Sequence, residues 1–200
     1  MTNKYDIVKM QERLQKRLTA DRYQHTLGVM YTCASLAMRY DCDVEKAMVA
    51  GVLHDCAKCL PNEKKKSICE KNGIEITDAE QKNLHLLHAK AGAFLAKTKY
   101  GVNDEEILGA IRYHTTGKAD MTLLEKITYL ADYIEPWRQK APNLKEIRKE
   151  AYCDLDDAIY RVFHDTLQYL QEIQASVDPT TRQAYEFYRD LYQRRHLTEQ

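Results

Sequence analysis

Four histidines and two aspartates carry the chemical information in this sequence. His54 and Asp55 are adjacent, in Val49-Ala50-Gly51-Val52-Leu53-His54-Asp55-Cys56-Ala57-Lys58, where an apolar stretch ends in an imidazole, a carboxylate and an ammonium. His25 lies upstream in Arg22-Tyr23-Gln24-His25-Thr26-Leu27-Gly28-Val29. His88 follows in Leu87-His88-Ala89-Lys90-Ala91-Gly92-Ala93, and His114 in Ile111-Arg112-Tyr113-His114-Thr115-Thr116-Gly117. Asp132 stands in Tyr129-Leu130-Ala131-Asp132-Tyr133-Ile134-Glu135-Pro136. Imidazole and carboxylate donors suit iron, manganese, zinc or cobalt, whereas magnesium and calcium prefer oxygen. Taken singly, each residue is more commonly a satisfied core group or a polar helix cap. Spread over five candidate helices, the six make a shared site more attractive, because packed helices can aim such groups inward at a metal. Spacing alone does not establish that they converge.

The elements that must position these residues read as helices throughout. Ile7, Met10, Leu14 and Leu18 form one amphipathic face, and Leu27, Met30, Tyr31, Ala34 and Met38 form a second. Asp43 is placed to cap a third helix carrying Ala47, Val49, Ala50 and Leu53. Pro61 suits the first turn of a short Lys-rich helix that stops at Gly73. Leu84, Leu87, Ala91 and Leu95 share one face of a helix ending near Gly101. Asn103 with Glu106 resembles a capping box, and Thr122 with Glu125 is a cleaner one. Pro136 ends the helix that holds Asp132. Leu155 to about Ala175 is a further helix, and Asp178-Pro179 opens the last. There is no internal repeat, and Pro136 to Asn143 reads as an internal loop rather than a domain linker. The expected architecture is therefore all-α.

Composition limits the function classes. The 200 residues fit one ordinary domain, or at most two small ones, and a chain of this size buries roughly 70% of its unfolded surface, so it needs no metal or disulfide merely to fold. Lys+Arg and Asp+Glu both number 30, and the zero formal charge argues against a generic nucleic-acid or anionic-membrane binder. No apolar run reaches a membrane span, and Met1 to Leu18 lacks a signal-peptide core, so a cytoplasmic location is expected. In that setting Cys33, Cys42, Cys56, Cys59, Cys69 and Cys153 are expected to be reduced thiols.

The order H…HD…H…H…D resembles the HD superfamily of metal-dependent phosphohydrolases. The words Tyr-Gln-His-Thr-Leu-Gly-Val, His-Asp-Cys-Ala-Lys, Leu-His-Ala-Lys-Ala-Gly-Ala, Ala-Ile-Arg-Tyr-His-Thr-Thr-Gly and Leu-Ala-Asp-Tyr-Ile-Glu-Pro together resemble its YqeK-type branch, the bacterial symmetrical bis(5′-nucleosyl)-tetraphosphatases. The likeness runs from about Tyr23 to Arg138, with helices over 143–196 expected to pack on that core as part of a single HD-domain bundle spanning 1–200. Ala89 departs from the Gly expected after the histidine, which touches packing more than chemistry. The resemblance implies two divalent metal ions, with iron first. His25, His54, Asp55 and Asp132 would hold one, and His88 and His114, bridged by Asp55, would hold the other. It also implies symmetrical cleavage of diadenosine tetraphosphate into two ADP, with metal-bound hydroxide as nucleophile.

Other residues are open to two readings. Lys58 lies four residues after His54; if the helix continues it could clamp a phosphate beside Asp55, and otherwise it is a solvated lysine. Thr115, Thr116 and Gly117 could offer hydroxyls and backbone N–H groups to phosphate or ribose, or form an ordinary helix stop. Arg112, Lys90 and Arg138 are further basic candidates. Lys64-Lys65-Lys66 reads as the wet face of a short helix. Cys56 and Cys59 have zinc-like spacing but no second pair. His85 reads as surface or as a neighbour of His88, and Trp137 as packing rather than a nucleobase platform. Tyr185, Tyr188 and Tyr192 have the spacing of core or of a homodimer surface. The competing functions are an HD phosphohydrolase for another nucleotide (a nucleoside monophosphate, deoxynucleotide or alarmone) and a non-catalytic nucleotide sensor.

Overall fold

The computed structural model describes residues 4–197. Eleven α-helices run through them in the order α1 (Ile7–Gln15), α2 (Ala20–Arg39), α3 (Val44–Leu53), α4 (Asn62–Lys71), α5 (Asp78–Lys82), α6 (His88–Tyr100), α7 (Glu105–Tyr113), α8 (Leu123–Ile134), α9 (Leu144–Glu150), α10 (Leu155–Glu172) and α11 (Pro179–Leu197). A 3₁₀ turn, Leu84–Leu87, leads into α6, and the described residues contain no strand. None of these helices is long and apolar enough to cross a membrane.

Local chemistry sets the starts. The Thr19 and Asp43 side chains accept from the N–H groups of Arg22 and Lys46, opening α2 and α3. Thr122 and Glu125 form the reciprocal capping box expected for α8. At α7 the cap is Asp104, whose carboxylate accepts from Glu106 and Ile107, and not Asn103. The face drawn through Leu84 and Ala91 is not one helix. Asn83 caps the 3₁₀ turn by accepting from His85 N–H, and the chain winds into an α-helix only at His88.

Packing gathers α2, α3, α6, α7, α8 and α10 around one apolar core. Val29, Leu36, Leu53, Ile107, Ile111, Ile127 and Leu130 are fully buried there, each contributing roughly 1.5–3 kcal/mol. Leu18 is buried although α1 ends before it, while Tyr31 and Met38 on α2 face outward. Tyr160 stacks on Tyr185 and Tyr192, joining α10 to α11, and the buried Tyr188 hydroxyl accepts from Met121 N–H. All six cysteines are unpaired. Cys56 is buried, its thiol donates to Gly92 O, and burial pushes its pKa up to about 12. Lys65 is the largest departure from the sequence reading: only 1% of its side chain is exposed.

Helices α2 and α3 meet backbone to backbone at Gly51. A Cβ on Gly51 would lie 2.8 Å from Met30 Cα, where no side chain can yield. Gly51→Ala is therefore expected to cost roughly 1–3 kcal/mol of overpacking, outweighing the ~1 kcal/mol helix-propensity gain. A urea midpoint equal to or above that of the unsubstituted protein would contradict this crossing.

Candidate metal centre

Three of the four histidines are aimed by one device. His54 ends α3 and its Nδ1 lies 2.6 Å from Gly51 O; His88 opens α6 with Nδ1 2.7 Å from His85 O; His114 follows α7 with Nδ1 2.7 Å from Ile111 O. A carbonyl oxygen only accepts, so each Nδ1 donates, which leaves Nε2 as the nitrogen able to ligate. His25, in mid-α2, uses a carboxylate instead: its Nδ1 lies 3.1 Å from Glu135 Oε1. All four Nε2 atoms then point into the same space.

That space is centred on Asp55, whose side chain is 2% exposed. Its Oδ2 faces His54 Nε2 at 3.5 Å and His25 Nε2 at 3.9 Å. Its Oδ1 faces His88 Nε2 at 3.3 Å and His114 Nε2 at 3.5 Å. Asp132 Oδ1 closes the first half, 3.1 Å from His25 Nε2 and 4.0 Å from His54 Nε2. The ring nitrogens also crowd one another, His25 against His54 at 3.3 Å and His88 against His114 at 3.1 Å. Two lone pairs at such distances repel unless a positive charge lies between them. Asp55 Oδ1 is buried and makes no hydrogen bond, an orphan that a cation satisfies. The six residues therefore fit a divalent-metal site.

Electrostatics put both aspartates and His88 in ligating form. Burial opposes ionisation of Asp55, but the imidazoles of His54, His114 and His88 outweigh it and hold the carboxyl far below its usual range. Burial likewise opposes ionisation of Asp132, and the His25 hydrogen bond with the charges of His54 and Arg138 holds it low. Burial lowers His88 to about 4, against the raising pull of Asp55. At neutral pH His88 is thus uncharged and both aspartates are ionised, as metal binding requires. At His25 burial lowers the pKa, but hydrogen bonds to Asp132 and Glu135 and the nearby carboxylate charge carry it above the usual value.

The basic candidates separate into two places. Although α3 stops at Leu53, tight turns carry the chain on, with Lys58 N–H donating to Asp55 O. Lys58 Nζ comes to 2.9 Å from His88 Nε2 and 3.5 Å from Asp55 Oδ1. Thr115 Oγ1 lies 3.1 Å from both His88 and His114 Nε2. Arg138 donates to Asp132 O and Oδ1, beside a 140 Å³ cavity that His114, Thr115, Tyr133 and Thr166 also line. Arg112 and Lys90 instead border a separate groove of 810 Å³ with Glu75, Thr77 and Thr180, which none of the six His and Asp residues lines.

Gly117 is not a free donor. Its N–H is bonded to Tyr113 O, its φ of +62° suits glycine, and a side chain there would run into the Phe163 ring. The Thr116 hydroxyl donates to Gly117 O. His85 is exposed, its ring 5.5 Å from that of His88.

Two residues of the site lay unassigned inside the quoted words. Arg22 Nη1 donates to Asp55 Oδ2 at 2.9 Å, and it stands three residues before His25, one helical turn away. Glu135 is 2% exposed and shared between His25 Nδ1 and the N–H of Trp137. Gly28 makes room for it, since a Cβ there would lie 2.5 Å from Glu135 Oε2. Trp137 is 60% exposed beside this pair, so it is a surface aromatic and not a core one.

Comparison with known proteins places this geometry. Residues 22–137 match the family model described as HD domain, and the chain belongs to that family. It is 44% identical over 174 residues to "Bis(5′-nucleosyl)-tetraphosphatase, symmetrical" of Bacillus subtilis (strain 168), covering 86% of this chain and 91% of that protein. Its identity to the protein of the same description from Staphylococcus aureus (strain NCTC 8325 / PS 47) is 36%, covering 92% and 94%. The crystal structure of a predicted HD superfamily hydrolase involved in NAD metabolism from Clostridium acetobutylicum aligns with a TM-score of 0.89 at 42% identity, covering 93% of this chain and 98% of that one.

Glu135 orients His25 and adds to the basicity of its ring. Glu135→Gln, which keeps an acceptor but loses the charge, is expected to weaken divalent-metal affinity about tenfold with the fold intact. Chelator competition measures it, and an unchanged affinity would remove Glu135 from the account.

Proposed function

We propose that this protein is a divalent-metal hydrolase that cuts diadenosine tetraphosphate symmetrically into two ADP. The observation that carries the reading is the convergence of four Nε2 lone pairs on the two oxygens of one buried aspartate, in a chain so similar to proteins of that description. His25, His54, Asp55 and Asp132 would hold one ion. His88 and His114, with the other oxygen of Asp55, would hold a second. Iron is the first choice, and manganese, zinc and cobalt suit the same donors. When bound, such ions acidify water and neutralise phosphate oxygens.

The chain's own groups then have definite tasks. Asp55, held ionised, presents one oxygen to each half of the site. The ammonium of Lys58 and the hydroxyl of Thr115 sit where they can bind phosphate oxygens beside His88 and His114. The guanidinium groups of Arg22 and Arg138, each about one-third exposed, hold Asp55 and Asp132 and offer further donors to a polyanion. Water adds to one of the two inner phosphorus atoms, and the central anhydride bond breaks. The departing ADP takes the bridging oxygen as a phosphate of low basicity, so little acid assistance is needed.

A second reading differs in one half only. Lys58 Nζ lies 2.9 Å from His88 Nε2, which favours His88 and His114 as direct phosphate contacts beside a single metal. Metal stoichiometry separates one ion from two.

The test of the function is product analysis. Protein reconstituted with ferrous iron without oxygen is given diadenosine tetraphosphate, and the nucleotides are separated. ADP alone is expected, with turnover abolished in Asp55→Ala. ATP plus AMP would overturn the symmetry of cleavage. No product at full metal occupancy would overturn the substrate, pointing to another nucleotide or to a sensor.

A further inference from the structure

Lys65 is a lysine where a core residue belongs. It lies on the same face of α4 as Cys69, one turn on, and both are buried. Its neighbours in the Lys run behave normally: Lys64 is exposed, and Lys66 pairs with Glu70. Lys65 is 1% exposed, and no acceptor or carboxylate of the described residues lies within bonding distance of its ammonium. The stem is enclosed while the ammonium keeps a narrow opening to solvent, and a cation so largely stripped of water, with no anion beside it, is costly. The surroundings add to the cost. Helix α4 packs on the 3₁₀ turn that carries His85 and on α6, which opens with His88. The charges of Lys58 and Asp55 both act on Lys65. Burial, with the repulsion of Lys58, lowers its pKa, and Lys58 and Lys65 together add to the lowering of His85. The nearby carboxylate, Asp55, is already claimed by Arg22 and four imidazoles.

We propose that Lys65 is a phosphate-binding residue, which with Lys58 forms a two-ammonium grip on the oligophosphate of the substrate. This rests on the hydrolase reading above, and it assigns to that site a contact from α4. A phosphate arriving at that opening supplies the missing anion, so the cost of the desolvated charge is recovered only when substrate binds. Lysine suits this task as a compact point charge on a long apolar stem, with the stem packed in α4's buried face.

The test replaces Lys65 with methionine, which keeps the stem and removes the charge. In manganese-loaded protein, calorimetry gives Kd for ADP and for inorganic phosphate, and steady-state assay gives KM and kcat for diadenosine tetraphosphate. Lys65→Met should raise both Kd values and KM about tenfold or more. Its melting temperature should be unchanged or higher, because an uncompensated charge has gone. Lys65→Gln, uncharged but polar, gives the same readout should methionine disturb α4. Unchanged Kd and KM would overturn the proposal, as would a lower melting temperature with unchanged Kd, which marks a packing role. If the unsubstituted protein does not cleave diadenosine tetraphosphate but Lys65→Met still weakens ADP and phosphate, the hydrolase reading fails and the grip stands. If cleavage is normal and Kd does not move, the grip alone fails.

Discussion

Four imidazole rings are locked by what their outer nitrogens touch. Gly51 O, His85 O, Ile111 O and the Glu135 carboxylate each accept a hydrogen bond from one Nδ1–H. The inner nitrogens are left as lone pairs, crowded together beside ionised carboxylates. Much of the surrounding architecture follows from keeping them there. His54, His88 and His114 all sit at helix termini, each with its Nδ1 on the carbonyl three residues back. The ring in the middle of a helix, His25, needs an acceptor from elsewhere, and the segment after α8 brings Glu135 to it.

That segment is itself held in place. Arg148 of α9 donates to the carbonyls of Ile134, Glu135 and Arg138. The carboxylate that orients His25 and the guanidinium that holds Asp132 are thus tied to one rigid anchor. Gly28 completes the contact from the other side by leaving space for Glu135. A site of this kind is built from helix ends and one clamped loop, with the apolar core behind it fixing the distances. Such preorganisation holds the lone pairs facing one another, with Lys58 and Thr115 the donors of the chain that reach those of His88 and His114, the cost being met by core packing elsewhere.

Much of this was legible in the sequence, for identifiable reasons. Thr122 with Glu125, Asp43 and Pro136 mark helix boundaries by local chemistry alone, and the structure obeys them. The six His and Asp residues were legible through their flanking words, and the structure brings them together. Other features depend on partners distant in sequence. Glu135 and Arg22 stood inside quoted words, but their roles need α2 and the end of α8 side by side. Gly117 was open to two readings, an anion contact or an ordinary helix stop, and the bond to Tyr113 O with Phe163 of α10 beside it fits the stop. Lys65 was hidden by the lysines on either side, because a charge run masks the helical phase that places it beside Cys69. The break at Leu84–Leu87 escaped because one 3₁₀ turn barely alters apolar spacing.

The central claim is that the lone pairs around Asp55 exist to hold divalent metal. The most direct measurement is the metal content of the protein after anaerobic loading with ferrous ion and removal of loose metal, beside Asp55→Asn treated identically. Stoichiometric metal is expected in the unsubstituted protein. About a tenth of that or less is expected in Asp55→Asn, with an unchanged circular dichroism spectrum. Equal retention by a folded Asp55→Asn protein, or none by the unsubstituted one, would contradict that claim.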